Sequence, residues 1–235
     1  MLLNIDDAKN ILLENNTPII LIDTCSLMDI IRTCYRDNIN ISHLVGAREV
    51  IERINQNKLS IVLTNIVKDE SLEHKISTLT DLLAEQRKVK KSLDKLIQIS
   101  TKLGISYEFI RNTNPSNISL DNIFSSIIDN FINHAIILDD DDDCYTKATK
   151  RSISNITPSQ KGKGEIKDCV IIEHYLKLVT MLRNSNYTEK IVFITNNSND
   201  FGGAPNPRQP LNIDFNTLKI SYCNDFKWCL TEIDN

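Results

Sequence analysis

Four acidic residues stand where carboxylates can cooperate in chemistry. Asp23 and Asp200 follow two short apolar runs, IILI and IVFI, and Glu70 lies a helical turn or two beyond a third run, LSIVL. Asp168 opens the amphipathic segment DCVIIEHYLKLVTML. Short runs rich in β-branched residues predict strands that are buried on both faces of a parallel sheet. Each acid therefore lies soon after a predicted strand or near the start of a predicted helix.

The four positions can meet at one edge of a sheet. In an open α/β sheet, the carboxyl ends of the strands and the starts of the helices share an edge, and ligands bind there. Several carboxylates gathered without Arg or Lys repel one another, but a divalent cation neutralises them. Ligands that are all oxygen favour Mg²⁺ or Mn²⁺. We therefore predict a Mg²⁺ or Mn²⁺ site made of Asp23, Glu70, Asp168 and Asp200.

Some of these assignments have rivals within the sequence. Asp23 could serve only as the N-cap of the helix that begins beside it, which is a common role for Asp. Three further acids lie close enough in the chain to replace Glu70 or Asp168: Asp69, Glu73 and Glu165.

The order of the predicted elements favours an α/β fold. Strands predicted over 19–22, 59–63, 191–194 and 217–222 alternate with helices. Apolar residues at helical spacing predict helices over 1–16, 43–54, 121–138 and 168–182. This alternation predicts a doubly wound parallel sheet flanked by helices on both faces.

Residues 75–160 are predicted to form a mostly helical insertion within a single domain of 235 residues. Apolar positions from Leu72 to Ile97 step by threes and fours, as in a two-helix hairpin or a long arm with one apolar seam. Such a seam can pair within the chain or across a homodimer. Residues 105–120 lose the periodicity and contain Pro115, so a loop is expected there.

Two charged segments flank the later part of this insertion. Asp139 to Asp143 are five consecutive acids, which predict a solvated loop or a helix start. Residues 145–167 are rich in Lys and Arg and have the composition of a loop. This basic loop could contact phosphates near Asp168, or it could be an ordinary surface loop.

Composition limits the function classes. Apolar content of 41% and charged content of 25% are those of an ordinary globular protein. The net charge of −4 argues against a bulk electrostatic grip on nucleic acid, though not against a local basic patch. No apolar run reaches the length of a membrane span, and no secretion signal is visible. The six cysteines lack zinc-binding or disulfide spacings, so free thiols in the cytoplasm are expected.

Four motifs, in this order, resemble the PIN domain family of metal-dependent nucleases: LIDTCSLMD, TNIVKDESLEH, EIKDCVIIEHYL and FITNNSNDF. More narrowly, the chain is similar to longer PIN-like proteins that have a helical insertion and a T-x-N-x-x-D-F ending. The resemblance covers about residues 15–75 and 160–225. It implies a PIN-like fold and an endoribonuclease dependent on Mg²⁺ or Mn²⁺, with RNA as the substrate and DNA as an alternative. Toxins and phage-defence effectors are among the roles that the family takes.

The resemblance also implies roles for individual residues. The four acids named above would be the catalytic metal ligands, and the products would carry a 5′-phosphate and a 3′-hydroxyl. Outer positions that support the ligands would be Thr24, Thr195 and Asn197. Lys161, Lys163 and Lys167 belong to the basic loop directly before Asp168, and this position predicts that they contact substrate phosphates. Asn196 and Asn197 stand where many family members place an acid, which leaves open whether one or two metals bind.

Two other functions compete with the nuclease. A phosphatase of the haloacid dehalogenase type also has an Asp after its first strand, but it needs a second acid two residues later, where this chain has Cys25. The other competitor is a PIN scaffold without activity that binds RNA or protein. Four acids at their expected positions argue against such a loss of activity.

Overall fold

The computed structural model describes residues 1–104, 119–159 and 166–235. Within these ranges one sheet contains six strands, in the order β1-β4-β3-β2-β5-β6. All neighbouring strands pair in parallel. The strands are β1 (Leu2–Leu3), β2 (Ile19–Ile22), β3 (Ser60–Thr64), β4 (Ile136–Leu138), β5 (Ile191–Ile194) and β6 (Ile220–Cys223).

Helices connect the strands along the chain. Those in the described ranges are α1 (Ile5–Asn15), α2 (Thr24–Arg32), α3 (Ile41–Asn55), α4 (Asn65–Lys102), α5 (Leu120–His134), α6 (Asp142–Ile153), α7 (Ile166–Asn184), α8 (Ser198–Phe201), α9 (Leu211–Leu218) and α10 (Phe226–Asp234). One group, made of α1, α6, α7 and α9, packs around α7. A second group contains α2, α3, α4, α5 and α10. The predicted parallel α/β sheet flanked by helices is therefore confirmed.

The middle of the sheet is apolar because strands covered by helices on both sides exclude water. Every residue of β2, β3 and β5 is buried. In register, Ile20 of β2 lies beside Ile61 of β3 on one side and Val192 of β5 on the other. These three strands form the rigid centre on which the candidate site is built.

The direction of winding changes beside β2. From β2 the chain proceeds to β3 and β4 on one side, and it later continues to β5 and β6 on the other side. Such a switch point leaves a crevice at the carboxyl ends of the two diverging strands, where α/β proteins bind ligands. The crevice here lies at the ends of β2 and β5.

Several local predictions were wrong in their element type. Ile136–Leu138 is strand β4, although the sequence pattern predicted that the preceding helix continues to Leu138. Helix α6 occupies the first part of the segment predicted as a basic loop. Residues 2–3 form β1, and helix α9 precedes β6, whose start at Ile220 is later than predicted. Short apolar runs do not distinguish a strand from a buried helix turn, and pairing with a neighbouring strand decides.

The acidic run begins helix α6, which is one of its two predicted forms. Asp141 is the N-cap, and its carboxylate accepts a hydrogen bond from the backbone N–H of Cys144 at 2.9 Å. Asp142 and Asp143 lie in the first turn, where negative charge is favourable for the helix dipole. Lys177 of α7 donates to Asp141 at 2.8 Å. These contacts account for the run without a cation.

Helix α4 is one continuous element of 38 residues. This matches the predicted long arm, whereas the alternative hairpin turn is not present before Lys102. The predicted seam is only partly correct, because Leu72 and Ile76 are exposed while Leu82 is buried. The predicted loop at 105–120 lies almost wholly outside the described residues. Within the range predicted as an insertion, β4 contributes a strand to the central sheet.

The six cysteines all lie in described ranges, and all are free thiols. Four are buried, Cys25 is half-buried and Cys34 is exposed. Across the described residues, no helix combines the length and apolarity needed to cross a membrane.

The contact between α3 and α10 depends on a glycine. A Cβ atom at Gly46 would lie 2.6 Å from the carbonyl carbon of Phe226 and closer still to the amide nitrogen of Lys227. We expect Gly46→Ala to force α10 away and lower the free energy of unfolding by about 1–3 kcal/mol. Urea denaturation measures this change. Val45→Ala, at an exposed neighbour, should change it by less than about 0.5 kcal/mol, and equal effects would contradict the packing argument.

The homodimer through the helical arm stays a prediction. Val89 and Leu96 lie seven residues apart on α4 and are 53% and 55% exposed, as a coiled-coil seam requires. If the arm pairs two copies, light scattering after gel filtration should give a dimer mass for wild type and a monomer mass for Val89→Lys/Leu96→Lys. Ile153→Lys, at an exposed residue on α6, should leave the mass unchanged. A monomeric wild type at tens of micromolar would exclude the homodimer at that concentration.

Candidate active site

Asp23 lies directly after β2 at the switch point. Its backbone N–H donates to the carbonyl of Ile194 at 3.1 Å, which extends the pairing of β2 with β5 by one residue. Asp23 occupies the N-cap position of α2, but its side chain makes no capping hydrogen bond. Capping therefore does not explain this acid, which is only 2% exposed.

Thr195, the residue after β5, binds the buried carboxylate. Its hydroxyl donates to Oδ2 of Asp23 at 2.7 Å. The backbone N–H of Asn197 in turn donates to the Thr195 hydroxyl oxygen at 3.0 Å. The side-chain amide of Asn197 donates to Oδ2 of Asp168 at 3.3 Å. A chain of hydrogen bonds thus joins Asp23 to Asp168 through the segment that follows β5.

Glu70 enters the site from the second turn of α4. That helix begins where β3 ends, and the hydroxyl of Thr64 caps it by accepting from the N–H of Val67 at 3.2 Å. Oε2 of Glu70 accepts a hydrogen bond from the Thr24 hydroxyl at 2.9 Å. The two acids that could replace Glu70, Asp69 and Glu73, are both exposed, whereas Glu70 is half-buried. Asp69 pairs with Lys68 at 2.9 Å.

Asp168 lies at the front of α7, and a tyrosine on the same face anchors this helix. Tyr175 is seven residues later, which is two helical turns. Its buried hydroxyl donates to the carbonyl of Ile22 at 2.7 Å and lies 3.3 Å from the carbonyl of Val62. The residue that receives this hydrogen bond directly precedes Asp23. One contact therefore sets α7, and with it Asp168, against the ends of β2 and β3.

The remaining predicted residues fall into two groups. Asp200 lies in α8 and is buried, and its backbone N–H contacts the carbonyl of Asn197 at 3.3 Å. Its role as a metal ligand stays a prediction. Lys167 is described, and its ammonium group donates to Oε1 of Glu70 at 2.8 Å. Lys161, Lys163 and the rival acid Glu165 lie outside the described residues.

Electrostatics single out Asp23 among the acids. Burial and, to a smaller extent, the nearby charge of Glu70 raise its pKa from 3.8 to about 6, although the hydrogen bond from Thr195 opposes the rise. Burial and the charges of Asp23, Asp29 and Asp168 raise the pKa of the Cys25 thiol. The acids are thus close enough to affect one another. Ion pairing with Glu70 also raises the pKa of Lys167.

Asp29 was not among the site residues predicted from the sequence. It lies on α2, 6% exposed, and accepts a hydrogen bond from the side-chain amide of Asn196 at 2.7 Å. Its other carboxylate oxygen pairs with Arg32 at 3.1 Å. The signal was present, because Asp29 interrupts the apolar stripe of Leu27, Ile30 and Ile31. An acid within such a stripe must find a partner when the helix is buried.

The donor set suits a hard divalent cation. Carboxylate, hydroxyl and amide oxygens from β2, α4, α7 and the end of β5 face one crevice, which is the chemistry of Mg²⁺ and Mn²⁺ sites. Among the residues that the structure describes, no three His, Cys, Asp or Glu side chains are grouped closely enough to hold a metal ion. Mg²⁺ commonly uses one or two carboxylates and retains water molecules. A divalent cation would also stabilise the buried anion of Asp23, whose pKa is raised. The residues of the site therefore fit such an ion.

A family model described as a PIN domain matches residues 20–201 of the chain. The chain belongs to the PIN domain family. The match begins in β2 and ends in α8, so it spans Asp23, Glu70, Asp168 and Asp200. No curated protein matches the chain, and no solved structure matches it. Membership in the PIN family also leaves the competing phosphatase of the haloacid dehalogenase type without support.

The burial of Asp23 in this PIN domain protein predicts an unusual dependence of stability on pH. A carboxyl whose pKa is higher in the folded than in the unfolded chain stabilises the fold when protonated. That contribution is complete below about pH 4 and is lost as the pH rises through 6. Two pKa units correspond to about 3 kcal/mol. We therefore expect Asp23→Asn to be about 1–3 kcal/mol more stable than wild type at pH 7.5 with EDTA, and equally stable near pH 4.

Urea denaturation at the two pH values measures the difference. Asp141→Asn is the matched control of opposite sign. Burial would raise the pKa of Asp141, but hydrogen bonds from Lys177 and the Cys144 N–H lower it to about 2. This control should be less stable than wild type at pH 7.5. If Asp23→Asn is destabilised in the same way, Asp23 is satisfied as an anion without a cation.

Proposed function

We propose that this PIN domain protein is an endoribonuclease that depends on Mg²⁺ or Mn²⁺. One observation carries the proposal: Asp23 and Asp168, far apart in the sequence, belong to one hydrogen-bonded chain at the switch point of the sheet. Glu70 joins the same crevice, close enough to raise the pKa of Asp23. A purely structural network would not need three carboxylates there, because like charges destabilise a fold.

The chain's own residues hold the reacting groups. Asp23, Glu70 and Asp168 would hold the metal, and Asp200 would help directly or through water. Thr195 fixes the Asp23 carboxylate, Thr24 fixes Glu70 and Asn197 fixes Asp168, as the outer partners of metal ligands do. When bound, the metal lowers the pKa of a coordinated water and stabilises negative charge on the phosphate.

Hydrolysis would then proceed by in-line attack on the phosphorus atom. The water oxygen forms a bond to phosphorus, the bond from phosphorus to the 3′-oxygen breaks, and that oxygen gains a proton. The products carry a 5′-phosphate and a 3′-hydroxyl. RNA is the proposed substrate and DNA is the alternative. A role as a toxin or a phage-defence effector rests on the resemblance alone.

Lys167 has a role that changes with the state of the site. Its side chain is 62% exposed, and its ammonium group pairs with Glu70, whose side chain is 17% exposed. A divalent cation would replace this positive charge on Glu70. Lys167 would then be available for a substrate phosphate, as the sequence predicts. Lys161 and Lys163 remain predicted phosphate contacts.

A PIN scaffold without activity is the second candidate. The observation that favours it is that no three acidic or other ligating side chains of the described residues are grouped as for a metal. Such a scaffold would bind RNA or protein without cutting it.

Cleavage of labelled single-stranded RNA and DNA with Mn²⁺, Mg²⁺ or EDTA tests the proposal. We expect RNA to be cut only with a divalent cation. Asp23→Asn, Glu70→Gln and Asp168→Asn should each lower the cleavage rate by more than about 100-fold. Loss of a residue that only supports a metal ligand lowers the rate by at most about that factor. Thr195→Val should lower the cleavage rate by about 10- to 100-fold. Substitutions of the exposed rivals, Asp69→Asn and Glu73→Gln, should change the rate by less than about threefold.

Circular dichroism and thermal melts would establish that each variant is folded. A folded wild type that cuts neither nucleic acid with either cation would contradict the nuclease and favour the scaffold. Activity that survives Asp23→Asn but not Glu73→Gln would mean that the metal ligands are assigned incorrectly. Preferential cutting of DNA would change the substrate class and keep the site.

A further inference from the structure

A cavity of about 370 Å³ lies beside the acidic crevice. It is bounded by α2 and the segment after it on one side, and by the segments after β5 and β6 on the other. Several residues of the candidate active site also line the cavity, among them Cys25, Thr195 and Asn197. Its volume falls within the range of small-molecule sites and suits one nucleotide unit. The cavity is therefore an extension of the candidate active site.

Two arginines line the cavity on the side of α2, together with Asp29, which pairs with Arg32. Arg32 and Arg36 lie one helical turn apart, at the end of α2 and in the segment that follows, and both line the cavity. Elsewhere the crevice is acidic and the protein carries a net charge of −4. A nucleic-acid strand that reaches the acids needs local positive charge, because its phosphates would otherwise be repelled. The two arginines supply that charge next to the carboxylates.

The position of Arg32 is fixed by a buried acid. Asp29 pairs with Nη1 of Arg32 at 3.1 Å, and the side chain of Asp29 is only 8% exposed. Asp29 is held in turn by the amide of Asn196 at 2.7 Å. A guanidinium group has five N–H donors in a rigid fork, so one contact orients the group and leaves others for an anion. Arg36 is exposed at the rim of the cavity.

The remaining polar lining is unusually rich in amides. The cavity is lined by Asn38, Asn196, Asn197 and Asn224. An amide both donates and accepts hydrogen bonds, so it matches the edges of bases and the hydroxyls of ribose. Tyr222 also lines the cavity, but it is buried and its hydroxyl donates to the carbonyl of Gly202 at 2.7 Å. It therefore forms part of the floor and does not provide a stacking surface.

We propose that this cavity binds the nucleotide next to the scissile phosphate, with Arg32 and Arg36 on its phosphate and the asparagine amides on its base and ribose. The ligand chemistry is a nucleoside phosphate within a single RNA strand. A free nucleoside monophosphate has the same chemistry and is distinguished by the test. The inference rests on the proposed nuclease function, which it supplies with a substrate subsite.

Binding and cleavage are measured separately, so that the two proposals can fail independently. Binding uses the fluorescence anisotropy of a labelled 12-nucleotide single-stranded RNA, with Asp23→Asn as a background that should not cut. Into this background we would introduce Arg32→Gln, Arg36→Gln or Arg32→Lys. Arg48→Gln, at an exposed residue of α3 outside the cavity, is the matched control. Cleavage rates are measured in the corresponding single variants with Asp23 intact.

We expect Arg36→Gln and Arg32→Gln each to weaken RNA binding by about 5- to 30-fold, and Arg48→Gln by less than twofold. Each lost phosphate contact should also reduce the slope of log affinity against log salt by about 0.7. Arg32→Lys should recover part of the affinity, because it keeps the charge and loses the fork. A loss of affinity in Arg36→Gln cannot be attributed to misfolding as readily as one in Arg32→Gln, because Arg36→Gln leaves the buried Asp29–Arg32 pair intact.

The outcomes separate the alternatives. Unchanged affinity, salt slope and KM in Arg36→Gln, with RNA cleavage intact, would overturn the subsite and leave the nuclease standing. Arginine-dependent RNA binding without cleavage by wild type would contradict the nuclease and keep a nucleic-acid site. Tight binding of a free nucleoside 5′-monophosphate, together with an RNA affinity that neither Arg32→Gln nor Arg36→Gln changes, would overturn the RNA subsite in favour of a nucleotide site.

Discussion

The burial of one carboxylate constrains the rest of this structure. Asp23 ends the central strand of a sheet covered on both faces, where a negative charge is costly unless it is hydrogen-bonded or paired. The Thr195 hydroxyl donates a hydrogen bond to this carboxylate, yet burial still raises the pKa of Asp23 to about 6. The groups that can reach Asp23 come from elements whose ends lie beside β2. The location of the site is thus a consequence of strand order.

The second constraint is the placement of α7, which carries Asp168. This helix has more buried residues than any other described helix, and the hydroxyl of Tyr175 donates to the carbonyl of Ile22. Because the hydroxyl would be unsatisfied in any other register, this bond fixes how far Asp168 projects toward the crevice. A core tyrosine therefore acts on the geometry of the site without touching substrate.

Two cations at this site are each paired with an acid. Lys167 lies on Glu70, and Arg32 lies on Asp29. The pairs differ in burial, because the Lys167 side chain is largely exposed and the Arg32 pair is mostly covered. An exposed pair exchanges partners at little cost, whereas a covered one preserves its geometry. The first pair is therefore suited to change when a metal or substrate binds, and the second is suited to position a fixed binding group.

Sequence alone determined the central strands and the acids at their ends, because runs of four or five residues rich in Ile and Val and bounded by turn residues favour buried strands. It could not identify Ile136–Leu138 as a strand, since pairing with β1 and β3 decides that short run. Nor could it show that part of the predicted basic loop is helix α6, where Arg151 pairs with Glu173 of α7 at 2.7 Å. The tertiary structure also placed Glu70 beside Thr24, left Asp69 and Glu73 exposed, and brought Asp29, Asn196 and Arg32 together. Periodicity reports which face is buried, but contacts between distant residues depend on how the elements pack.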